Sequence, residues 1–241
     1  MQKLNINNPK DQGCITIGRV APDFTALSTH GPITLSNYRG KWVILFIEPA
    51  NFLATVTAAI VDAAMFNDVM QKRNAQNLCV TIDNVYSNNQ LMKEIYDSFG
   101  ILVPFPLIED RNAEIANAYG IVNPDRIYEE SVRDVFIINP AGRIRAILTY
   151  PVQVGRNGYE VLRLLDALQL SEEYNVSTPN NWMPGDPVII PTSTIFNESM
   201  NRYLNSSSLG IYCNPWYTCY IDYNSLINNN LQRNDSLQTD I

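Results

Sequence analysis

A run of consecutive apolar residues, Trp42 to Ile47 (WVILFI), lies between Lys41 and the pair Glu48-Pro49. It is too short to cross a membrane and reads as a strand covered on both faces. Pro49 ends it, because proline has no N–H to give to a ladder. Beyond it the apolar positions switch to helical spacing. Val56, Ile60 and Ala63 fall on one face of a helix predicted over 53–73, with Asn51 placed as its cap. A strand running into a helix N-terminus makes a concave, electropositive corner in which an anion or a thiolate is stabilised.

The same reading organises the rest of the chain. Short strands are predicted at 33–35, 78–82 and 105–108. Helices are predicted at 88–99, stopped by Gly100, and at 112–119, stopped by Gly120. The runs 135–138 and 144–149 read as a hairpin across Pro140-Ala141-Gly142, and 158–170 as an amphipathic helix. Crossover units plus one hairpin predict an α/β layered domain with a mixed central sheet over 13–170, preceded by a polar arm, 1–12.

From Ser171 the composition turns to Pro, Asn, Thr and Ser. Residues 171–223 hold a predicted strand (187–190), a helix (193–204) and an aromatic segment (211–223). That is little with which to build a separate core. The polar stretch 224–241 reads as a disordered tail or linker.

Charge and composition remove several classes of function. The net charge is −7 and the isoelectric point is near 4.7, which argues against nucleic-acid and anionic-membrane partners. The first residues, MQKLNINNPKDQG, lack the apolar segment of a signal peptide, so synthesis in the cytoplasm is expected. Four cysteines in 241 residues do not make a disulfide scaffold. The single histidine, His30, sits in a Gly-Pro turn and reads as a surface residue, so no zinc site or Ser-His triad is expected. Neither a phosphate loop nor a nucleotide fingerprint occurs, and no cofactor or metal is expected. Asp62, Asp68, Glu94 and Asp97 read as solvated helix faces.

The corner at 48–57 contains no thiol, and this is the main functional fact in the sequence. The stretch Arg19 to Phe46, RVAPDFTALSTHGPITLSNYRGKWVILF, resembles the opening of a peroxiredoxin of the one-cysteine, long C-terminal-arm subgroup. The resemblance continues through Val132–Asn157, Thr178–Pro191 (TPNNWMPGDPVIIP) and Cys213–Cys219 (CNPWYTC). It implies a thioredoxin-like fold, and a C-terminal arm packed on a partner subunit in a homodimer or a ring of dimers.

The family pattern has a proline, a threonine four residues on, and the peroxidatic cysteine three further. Pro49 matches it, Leu53 stands at the threonine and Val56 at the cysteine. Arg133 and Arg156 match the two arginines that lower the thiol pKa. Leu53 and Val56 offer neither a lone pair nor a polar hydrogen. Thr55 and Thr57 have no histidine or amine base beside them, so they read as packing and helix-start residues. Glu48 replaces the family's usual histidine; it either pairs with the arginines or is solvated at the strand end.

Other sulfurs leave alternatives open. Cys79 reads as a buried, inert residue, and Cys14 has no evident activator except Arg19. Cys213 and Cys219 match the C-terminal cysteines of prokaryotic relatives. The loop between them, with Asn214-Pro215, allows bridging, while two ordinary thiols in an aromatic segment is the plainer reading.

The leading expectation is a scaffold or anchoring protein without peroxidase chemistry. One alternative is a thiol peroxidase or disulfide-exchange enzyme using Cys213 and Cys219. Another is an anion or small-molecule binder at the arginine pocket. The Asn-rich tail is similar to that of spore-coat proteins in which a degenerate peroxiredoxin is fused to a chitinase. That similarity implies a second module and a spore-surface location.

Overall fold

In the computed structural model, residues 15–121 and 132–228 are described. The arm 1–12, Cys14 and the tail from 229 lie outside them. The chain divides into two units, Met1–Gly158 and Tyr159–Ile241. The sequence boundary at 170 therefore differs from this division by one helix, the one that begins at Gly158.

The first unit opens with a small antiparallel pair, β1 (Thr25–Ala26) and β2 (Ile33–Thr34). Then follow β3 (Trp42–Glu48), α1 (Ala54–Met65), α2 (Asn67–Gln71), β4 (Ala75–Thr81), α3 (Val85–Phe99), β5 (Leu107–Glu109) and α4 (Glu114–Ala118). A hairpin, β6 (Val132–Ile138) and β7 (Ile144–Pro151), closes the sheet. The strand order is β5-β4-β3-β6-β7, with β3, β4 and β5 parallel, β6 antiparallel to β3, and β7 antiparallel to β6. β3 is central and buried throughout, which explains its unbroken apolar run.

Alternation along β3 sends Val43, Leu45 and Ile47 into one core with Leu78, Val80, Phe136 and Ile138. The other face carries Ile44, Phe46 and Glu48. Because Ile47 pairs with Asp134, the next residues on this face are Glu48 and, across the strands, Arg133.

Several local expectations shift. The helix predicted over 53–73 is divided at Phe66 into α1 and α2, with Phe66 itself still in the right-handed helical region (φ −84°, ψ −4°). Asn51 does not cap α1. Phe52 takes a positive φ of 60°, the helix starts three residues after Asn51, and Leu53 is the cap position with no side-chain hydrogen bond. The strand expected at 105–108 begins at Leu107, after Pro106, whose carbonyl accepts from the Cys79 N–H (3.2 Å). α3 is capped at its start by Asn84, whose side chain accepts from the N–H groups of Tyr86 and Ser87 (3.0 Å each), and at its end by Gly100 in a left-handed conformation.

The second unit consists of α5 (Gly158–Tyr174), β8 (Val188–Ile190), α6 (Phe196–Leu204) and the hairpin β9 (Ile211–Cys213) and β10 (Cys219–Ile221). Its sheet runs β8-β10-β9, all antiparallel. The expectation that this region buries little by itself is corrected. Ala167 and Leu170 of α5 pack with Val176, Trp182, Val188, Ile221 and Leu226 in a core of their own. Trp182 is buried there, and its indole N–H donates to the Asp186 carbonyl (3.0 Å). The expected tail does not start at 224, because residues 223–228 are helical and Leu226 belongs to this core. Tyr212, Trp216 and Tyr217 remain exposed. Among the described residues no helix is long and apolar enough to cross a membrane.

Candidate active-site corner

At the carboxyl end of β3 the chain turns through Pro49 to Leu53 into α1. The turn is tied down by Asn51, which is buried. Its N–H donates to Asp83 Oδ2 (2.7 Å), and its side-chain amide donates to Asn88 Oδ1 (2.7 Å) and Ser87 Oγ (3.1 Å). Thr81 Oγ1 donates to the same Asn88 oxygen (2.9 Å), which links the ends of β3 and β4 to α3.

Behind this turn lies a buried ionic group. Glu48 is 1% exposed and Arg133 is 0% exposed. Arg133 Nε donates to Glu48 Oε2 (2.9 Å), Nη2 to the Thr55 carbonyl (3.0 Å) and Nη1 to the Val154 carbonyl (3.3 Å). Every nitrogen of that guanidinium is engaged. Arg156 Nη2 pairs with the other Glu48 oxygen, Oε1, and its guanidinium lies 4.7 Å above the Phe46 ring. Arg156 Nη1 is buried without a hydrogen-bond partner among the described residues. Of the two readings of Glu48, the structure shows the pair and not the solvated strand end.

Asp62 is not a solvated helix-face residue. It is half-buried, and burial raises its carboxyl pKa while the nearby Arg156 charge opposes that rise. Gly158 allows this approach, since a Cβ there would stand 2.4 Å from Asp62 Oδ2 and 2.7 Å from the Phe66 ring. From the sequence Asp62 reads as a solvated helix-face residue and Gly158 as a helix start, with no role for either at this corner. The signal available was a glycine directly after the Arg156-Asn157 pair.

Val56 is fully buried in the first turn of α1, and Leu53 is half-exposed at its cap. This arrangement can hold arginines and a carboxylate in place. Neither Leu53 nor Val56 can ionise or donate a hydrogen bond.

Matches to known proteins cover most of the chain. A family model described as the AhpC/TSA family matches residues 17–147. The Peroxiredoxin 2 of Caldanaerobacter subterraneus is 41% identical over 204 residues, which is 85% of this chain and 91% of the relative. The chain belongs to the peroxiredoxin family. A second model, the C-terminal domain of 1-Cys peroxiredoxin, matches residues 167–206. The peroxiredoxin of Aquifex aeolicus is 35% identical over 214 residues, covering 84% of this chain and 95% of that one.

Among solved structures, yeast mitochondrial 1-Cys peroxiredoxin superposes with a TM-score of 0.78 at 33% identity, covering 86% of this chain and 99% of that one. A cysteine-to-serine mutant of the Peroxiredoxin 6 of Arenicola marina gives 0.74 at 28% identity, over 86% and 98%. The fold is accordingly the thioredoxin-like fold of peroxiredoxins, with the mixed sheet expected from the element order.

Cys79 is buried in β4 beside Phe46. Burial, with the Glu48 carboxylate adding to it, pushes its thiol far up. In a Cys14→Ser variant with the disulfide intact, Cys79 is expected to stay unreacted with Ellman's reagent at pH 8 until denaturant is added. Stoichiometric labelling of the native protein would contradict its burial.

Cys213 and Cys219 are opposite one another in the β9–β10 pair and are joined as a disulfide, with Cα atoms 4.0 Å apart. A bridge across a sequence separation of 6 stabilises the hairpin by roughly 2 kcal/mol on loop-closure entropy.

Proposed function

We propose that this peroxiredoxin-family chain has no peroxidase chemistry and serves as a homodimeric scaffold or anchor. The observation that carries the reading is a buried Val56 at the helix start, with Glu48 already holding both arginines. A peroxidase needs an ionised sulfur there and a cation free to hold it. The purified chain is expected to consume hydrogen peroxide, with a thiol reductant, no faster than a variant lacking all cysteines. Turnover matching that of the Caldanaerobacter relative would overturn the proposal.

The same geometry counts against an anion receptor in the arginine pocket. Glu48 and Asp62 supply negative charge beside Arg133 and Arg156. The disulfide-exchange reading keeps one supporting observation, that Cys213 is partly exposed while bonded to Cys219. A Cys213→Ser, Cys219→Ser variant in the same assay separates it.

The dimer is supported by aromatic surface in the second unit. Phe196 and Trp216 stack edge to face with centroids 5.6 Å apart, Tyr217 stands 5.6 Å from Trp216, and Phe196 is 64% exposed. Such side chains are costly in water and enriched at interfaces. Light scattering at micromolar concentration is expected to give twice the chain mass, and a value near 27.2 kDa would refute the dimer. A fused second module and a spore-surface site belong to the same reading and rest on the composition of the tail.

A further inference from the structure

The second unit carries an open groove of about 600 Å³ lined by Tyr212, Tyr220, Asp186, Asp222, Pro179 and Pro187. Tyr212 and Tyr220 are cross-strand partners in β9 and β10, with ring centroids 6.0 Å apart and planes inclined by 27°. Their neighbour Ile221 turns the other way, into the core, so the rings stand on the outer side of the hairpin. Tyr212 is 61% exposed.

Charge decides what such a surface can hold. Between 159 and 228 the sequence has seven carboxylate side chains and two cations, Arg163 and Arg202. Arg163 is held by Glu160 and the Trp182 carbonyl, and Arg202 donates to the Pro191 carbonyl. The Asp222 carboxylate has no partner among the described residues. The Asp186 carboxylate accepts from the Met183 N–H (2.8 Å) and pairs with no cation among them. Two aromatic faces next to two unneutralised carboxylates attract a guanidinium or ammonium group, because the ring quadrupole and the carboxylate charge act in the same direction. Phosphate-bearing partners are repelled. A second copy of a chain with net charge −7 is a poor match.

We propose that this groove binds an extended basic peptide segment. An arginine or lysine side chain lies over the Tyr212 and Tyr220 rings with its charge toward Asp222 and Asp186, and Pro179 and Pro187 form rigid walls. The proposal does not depend on the absence of peroxidase chemistry.

The test is a calorimetric titration of the full chain at low salt with an acetylated, amidated peptide of alternating arginine and proline. The control peptide has glutamine for arginine. Saturable binding is expected for the arginine peptide only, weakening as salt is added. Tyr212→Ala and Asp222→Asn each are expected to weaken it by about fivefold or more, and Tyr212→Phe to keep it within about twofold. Thermal melts of each variant check that the hairpin is intact. No saturable binding, equal binding of the glutamine peptide (a neutral groove), or unchanged affinity in Tyr212→Ala and Asp222→Asn would overturn the proposal.

Discussion

Changing Leu53 to Thr and Val56 to Cys together leaves the protein without a reactive thiolate, and adding Glu48→Gln produces one. The reason is the occupancy of the arginines. Position 56 sits in the turn whose Thr55 carbonyl already accepts from Arg133, and the remaining Arg133 nitrogens go to Glu48 and Val154. Arg156 holds the other Glu48 oxygen. A cysteine introduced here meets an engaged cation and a neighbouring carboxylate, so its pKa stays near or above the ordinary value of about 8.5.

Removing the carboxylate charge with Glu48→Gln leaves the positive charge uncompensated, and the thiol moves into the range of about 3.5–7.5 seen beside cations. At pH 7 the thiolate fraction then rises roughly tenfold or more. The pH dependence of iodoacetamide alkylation reads this directly, with peroxide consumption as the second measurement. A thiol in the Leu53→Thr, Val56→Cys variant that already titrates below pH 6 would show that Glu48 does not restrain the site.

Glu48→Ala alone is expected to destabilise the fold by about 3–5 kcal/mol, the usual result of stripping one partner from a buried ion pair. Arg133 and Arg156 would keep their charges in a place where Glu48 and Arg133 have no side-chain exposure. On the scale of this chain the loss corresponds to a fall in melting temperature on the order of 10 °C. Arg133→Met is expected to cost a similar amount. The double change, Glu48→Ala with Arg133→Met, should cost clearly less than the two single effects combined, since the charges are removed together. Urea midpoints measure all three. Strict additivity would mean that the pair contributes no coupling. The Glu48→Gln variant keeps the side-chain shape and a hydrogen-bond acceptor, so it is the milder probe for the reactivity experiment.

What the sequence determined by itself was set by local physics. The apolar run 42–47, Gly100 after α3 and the 140–142 turn each specify their element through backbone and solvation preferences of neighbouring residues. That Leu53 and Val56 can neither ionise nor donate was equally visible, because side-chain chemistry of this kind needs no context. Tertiary structure decided everything that depends on distant partners. Glu48 and Arg133 are 85 positions apart, and only the antiparallel pairing of β3 with β6 puts the carboxylate against the guanidinium instead of in water. Asn51 looked like a cap, yet the left-handed Phe52 moved the helix start beyond it and turned its amide to Asn88. Asp62 had the pattern of a surface residue until Gly158 let the chain approach it. The second unit gained its own core because the end of α5 packs with Trp182 and Leu226, contacts that no local pattern encodes. Sequence periodicity reports which face of an element avoids water. Which charge meets which across the sheet is a consequence of strand order and register alone.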